Sequence, residues 1–183
     1  MTQEPQLVAL IRSVVGSYII HHADLKISVH QQGGFDLFVG FEAHTGDLAR
    51  IIGKKGANFR ALSAIASMAG RRDGHRVTLL KLPRKGVGVA DRYPDFALNR
   101  EWPKETVRKL AGEMAIACLP TGAVIVDIEN VSTSDSAVTI RVEPRVQPQE
   151  LARFAEAVAV LISAAGSTAG RVLHTSVVSN LRF

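Results

Sequence analysis

Apolar residues at Leu7, Leu10, Ile11, Val14, Val15 and Tyr18 recur at helical spacing and predict a helix over residues 5–20, with Pro5 in its first turn. The period then shortens to two. Leu25, Ile27 and Val29 alternate with polar residues over 24–30, and Phe35, Leu37, Val39 and Phe41 do so over 35–43. Gln-Gln-Gly-Gly between these runs is a turn signal, so they predict a β-hairpin. A short helix over about 46–52 follows, then Gly-Lys-Lys-Gly, then a helix from Ala57 to about Ala69 with Phe59, Leu62, Ile65, Ala66 and Ala69 on its inner side. Residues 75–82, HRVTLLKL, predict a third strand, which makes the order α-β-β-α-α-β. Residues 83–102 mix prolines, glycines and charges without periodicity and read as a linker.

Beyond the linker the order recurs. A helix is expected over 103–118, alternating strands over 123–131 and 137–144, a helix over 147–166 and a last strand over 171–178. Asp47-Leu48-Ala49-Arg50 falls opposite Glu150-Leu151-Ala152-Arg153, after which the second half lacks the Gly-Lys-Lys-Gly interruption and one helix runs on. This pattern reads as an internal duplication whose second copy has lost the glycine loop.

Composition supports a packed core: of 183 residues, 46% are hydrophobic and 21% charged. The net charge of +5 is unevenly placed, with 12 Lys+Arg against 6 Asp+Glu in residues 1–85. Between 50 and 85, ten basic residues stand against the single acid Asp73. That asymmetry points to a polyanionic partner for the first half. The single cysteine, Cys118, rules out an intramolecular disulfide and a CxxC site, and at the end of an apolar helical stripe it reads as a buried thiol. No apolar run has the length of a membrane span, and the start, MTQEPQLVALIRSVV, lacks the charge pattern of a signal peptide, so a cytoplasmic protein without a membrane partner is expected. Adjacent His21 and His22 lack helical metal-ligand spacing, and no metal or other cofactor is expected. The motifs G-x-x-x-x-G-K-[ST], G-x-S-x-G and H-E-x-x-H are absent, and no nucleophile stands beside a base at a known spacing, so the chain does not read as an enzyme.

The chemistry concentrates in RIIGKKGANFRAL, residues 50–62. Gly53 and Gly56 allow backbone conformations and close approaches that side chains forbid. The loop opens a helix whose first amides lack intrahelical partners and whose end is partly positive, a combination that accepts phosphate. Lys54 and Lys55 repel each other and are expected to face water or an anion. Arg60, one turn on, reads as a phosphate contact or a solvated helix face. Arg71, Arg72 and Arg76 read as cations favoured near a helix C-terminus, or as further contacts to a polyanion.

DLARIIGKKGANFRAL within α-β-β-α-α-β resembles a KH domain of the bacterial type II arrangement and is most similar to the small KhpA-like RNA-binding proteins over residues 5–82. KH domains clamp about four nucleotides with this loop. The resemblance implies that Gly53, Lys54, Lys55 and Gly56 contact phosphates. It also implies that Ile51, Ile52 and part of the 57–69 helix line the groove for bases, with Ala57, Asn58 and Arg60 among the RNA-binding residues. The chain departs from such proteins by continuing for about a hundred residues past 82, and the RNA contact is not carried over to the second unit.

The expected architecture is therefore α+β: a KH domain at 1–83, a linker at 84–102 and a KH-like domain without GxxG at 103–183, each with a three-stranded sheet and helices on one face. The expected function is single-stranded RNA binding with low sequence specificity, in a post-transcriptional or ribosome-related role. The ribosome, another RNA-binding protein or a second copy of the chain stay open as further partners. The alternative is a protein-interaction or dimerisation module in which 103–183 holds a protein partner and the basic face is auxiliary.

Overall fold

The computed structural model describes residues 6–80, 104–120, 123–132, 134–143 and 146–179. The first unit comprises α1 (Gln6–Gly16), β1 (Lys26–Gln32), β2 (Asp36–Glu42), α2 (Thr45–Ile52), α3 (Ala57–Arg72) and β3 (Arg76–Leu79). The second comprises α4 (Lys104–Cys118), β4 (Val124–Asn130), β5 (Asp135–Val142), α5 (Pro148–Ser167) and β6 (Val172–Ser179). The expected linker, with Lys81, Arg84, Lys85, Tyr93, Phe96 and Trp102, lies outside the described residues. Among the described residues no helix is long and apolar enough to cross a membrane.

Each unit has one three-stranded sheet built the same way. β1 runs antiparallel to β2, from Lys26 opposite Glu42 to Gln32 opposite Asp36, and β2 runs parallel to β3, from Asp36 opposite Arg76 to Val39 opposite Leu79. In the second sheet β4 is antiparallel and β6 parallel to the central β5. The parallel pairs require crossovers, which α2 and α3 supply in the first unit and α5 alone in the second. Alternation along the strands buries one side of each sheet: Val39, Phe41, Val77 and Leu79 in the first, and Val138, Ile140, Val142 and Leu173 in the second.

The expected first helix ends early. α1 stops at Gly16, yet Tyr18 and Ile19 remain buried as the chain turns away. Further on, the amides of Ile20 and His21 are held by the Asp47 carboxylate instead of by helical carbonyls.

The same turn joins helix to parallel strand in both units. A Cβ at Gly70 would collide with Val77, and one at Gly166 would collide with Leu173. The amides of His75 and Arg171 return to the carbonyls of Gly70 and Gly166 at 2.7 and 3.0 Å. Glycine at these positions lets the helix end lie directly on the strand that follows it.

The helices of the two units face each other. α1 packs on α4, and α3 packs on both α4 and α5, so one continuous buried cluster includes Ile11, Leu62 and Ile65 together with Met114, Phe154 and Leu161. Polar contacts also cross this apolar seam. Ser13 Oγ donates to Glu113 Oε2 at 2.7 Å, and Cys118 Sγ donates to the Ile65 carbonyl at 3.5 Å. The Arg72 guanidinium donates to the carbonyls of Ile116 and, at 2.9 Å, Leu119. The end of α4 presents carbonyls without intrahelical donors and a partial negative charge, which a guanidinium satisfies on both counts. Burial pushes the Cys118 thiol up to about 12, so it stays protonated at neutral pH.

Candidate nucleic-acid interface

The Gly-Lys-Lys-Gly segment forms the joint between α2 and α3. Gly53 (φ 72°), Lys55 (φ 53°) and Gly56 (φ 79°) all have positive φ, and Lys54–Gly56 make one tight 3₁₀ turn. Gly53 N–H donates to Ala49 O at 2.8 Å, and Gly56 N–H donates to Gly53 O at 3.0 Å. A Cβ on Gly53 would lie 2.8 Å from the Asn58 backbone nitrogen and 2.6 Å from its side-chain Cγ. Glycine is thus dictated there twice, by conformation and by space. Asn58 Nδ2 donates to the Arg50 carbonyl at 2.7 Å and fastens the start of α3 to the end of α2. Lys55, a non-glycine residue in the left-handed region, holds backbone strain of about 1 kcal/mol or more.

Lys54 and Lys55 are exposed and form no ion pair among the described residues. Arg60 is exposed too, and its Nη1 donates to Lys55 O at 2.7 Å, so the guanidinium backs the loop. Ile52 is 42% exposed beside the lysines, whereas Ile51 is fully buried. The groove-lining role expected of Ile51 is therefore corrected: its side chain belongs to the core, and Ile52 is the apolar surface beside the loop. Ala57 and Asn58 are half-buried, and the Asn58 side-chain amine is already engaged. The three arginines expected to behave alike separate in the structure. Arg72 spans the inter-unit seam and Arg76 Nε pairs with Asp36 Oδ1 at 2.8 Å, while Arg71 is exposed and forms no ion pair among the described residues.

The residue that sequence reasoning missed is Asp47. It sits in the first turn of α2, yet it is fully buried. Its carboxylate accepts from the Ile20 amide at 3.0 Å and the His21 amide at 2.8 Å, and lies 3.0 Å from His21 Nδ1. The His21 ring stacks on His44, with centroids 3.8 Å apart, and His44 Nδ1 accepts from the Gly46 amide at the start of α2. This cluster anchors α2, and with it the loop, to the end of the α1 segment. Burial pushes the Asp47 carboxyl up, but the hydrogen bonds from the His21 and Ile20 backbone and the His21 ring outweigh it and hold the group below its ordinary 3.8. Because the folded value is depressed, the stabilisation is complete above the ordinary range and is lost as pH falls through the lowered value. Asp47→Asn is therefore expected to be destabilised by about 1–3 kcal/mol at neutral pH. The gap to the wild type should close in acid below 3.8. Urea melts at a series of pH values measure this, and a gap that persists unchanged into strong acid overturns the assignment.

A crevice of about 680 Å³ lies beside the joint, between Tyr18, Arg50 and Asn58 of the first unit and Val160, Ser163 and Ser167 of α5. The Tyr18 hydroxyl is buried without a hydrogen-bond partner among the described residues, and burial pushes its pKa up. The arrangement as a whole is a glycine-shaped turn carrying two cations without an ion pair among the described residues, with an apolar side chain at its flank. It suits a polyanion whose charged backbone and apolar faces lie side by side. No family model matches the chain, and no curated protein matches it in sequence.

Proposed function

We propose that the protein binds single-stranded RNA, with the first unit acting as a type II KH domain and the Gly53–Gly56 loop as its phosphate clamp. The observation that carries this reading is the loop itself: two exposed, unpaired lysines on a turn held in shape by positive-φ backbone and the Asn58 lock. Its position between the two crossover helices of an α-β-β-α-α-β unit supports the same reading. Phosphates take Lys54, Lys55 and the positive end of α3, and Ile52 offers apolar contact to a base. Nothing in the arrangement selects one base edge, so low sequence specificity follows. The role is binding rather than catalysis.

If three phosphates are neutralised, the log–log dependence of affinity on salt for a single strand has a slope of about −2. Between 50 and 200 mM salt, affinity for a mixed-sequence single strand should then fall roughly twentyfold. Fluorescence anisotropy across that range tests it, and a salt-insensitive complex sinks the mechanism. The helices of the second unit meet the first unit, while Ile116, Ile125, Val172 and Val178 keep exposed apolar surface on the second unit, on which the protein-partner alternative rests.

A further inference from the structure

A second cleft, of about 310 Å³, opens between α3 and α5, and it belongs to both units. Its floor is small and apolar, including Ala61, Ala64 and Val160, because the two helices approach closely there. Its rim is charged: Arg60 and Arg71 from α3, Arg153 and Glu156 from α5. All four rim residues are exposed, and none forms an ion pair among the described residues. The cleft starts at the loop, since Arg60 both lines it and donates to the Lys55 carbonyl. From Ala57 to Arg71 it follows α3 for about 21 Å at the helical rise per residue.

Arg71 has a structural reason to be basic, near the C-terminal end of its helix. Arg153 lies in the second turn of α5, away from the helix end that favours a cation, and forms no ion pair among the described residues. We infer that the RNA strand held by the Gly53–Gly56 loop continues along this cleft, and that the second unit, although it lacks a glycine loop, supplies a phosphate contact through Arg153. The inference rests on the RNA-binding reading and extends the binding surface across both units. Glu156 on the same rim opposes the strand and keeps the contact weak.

The test uses the full chain and a short, mixed-sequence, fluorescently labelled single-stranded RNA, titrated by anisotropy at several salt concentrations. Arg153→Glu should weaken binding about fivefold and flatten the salt slope by about 0.7, the share of one single-strand phosphate. Glu156→Gln should tighten binding about twofold through lost repulsion. Wild-type affinity and slope in both Arg153→Glu and Arg153→Ala, alongside a loss in the Lys54/Lys55 variant, overturn the cleft and leave the loop reading standing. A weakened Arg153→Glu with an unchanged slope and no gain in Glu156→Gln marks a structural effect and also overturns it. Absence of wild-type binding overturns both readings.

Discussion

Replacing both Lys54 and Lys55 by aspartate is expected to lower affinity for single-stranded RNA by about tenfold or more, with the fold intact. The substitution turns two phosphate attractions into two repulsions on side chains that point into solvent and pair with nothing among the described residues. Folding should not suffer, because the loop's shape comes from Gly53, Gly56 and Asn58. At Lys55, where φ is 53°, aspartate tolerates the left-handed conformation at least as well as lysine. Anisotropy measures the affinity, and circular dichroism with a thermal melt checks the fold. A folded double variant that binds like the wild type would place the working surface elsewhere.

Phe154→Ala is expected to destabilise the whole described fold by about 3–5 kcal/mol, the usual range for removing a fully buried phenylalanine. That is a large fraction of the stability of an ordinary domain. Phe154 lies in α5, yet its cluster is continuous with the first unit through α3. Both units should therefore lose stability together, in a single urea transition seen alike by circular dichroism and by RNA binding. Two separated transitions, with RNA binding surviving the first, would show that the two halves fold independently.

Much of the architecture could be read from periodicity. The switch from helical spacing to alternation marks the strands of both hairpins, and the uninterrupted apolar stripe through Phe154, Val158 and Leu161 marks α5 as one helix. The loop was legible for a related reason, since two glycines bracketing two like charges at a helical joint stand out from the periodic pattern on either side. What stayed hidden depends on partners distant in sequence. Asp47 looks like an ordinary first-turn acid until the amides of Ile20 and His21 are seen to point at it. Arg72 looks like Arg71 until the end of α4 arrives beneath it. Ile51 and Ile52 are identical in kind, and only the rotation of α2 against the core decides that the first is buried and the second reaches water. The cleft along α3 escapes the sequence altogether, because its two walls come from different halves of the chain.

The continuous α5 has a consequence for the first unit. Both units connect their parallel strands over the same kind of sheet, one by a single unbroken helix and the other by two helices and a strained turn. The chain thus contains its own loop-free reference, in which the architecture closes without any glycine pair. The interruption places backbone strain at Lys55 that the unbroken α5 does not carry, and it turns α2 so that Ile51 and Asp47 are buried while Ile52 and both lysines face water.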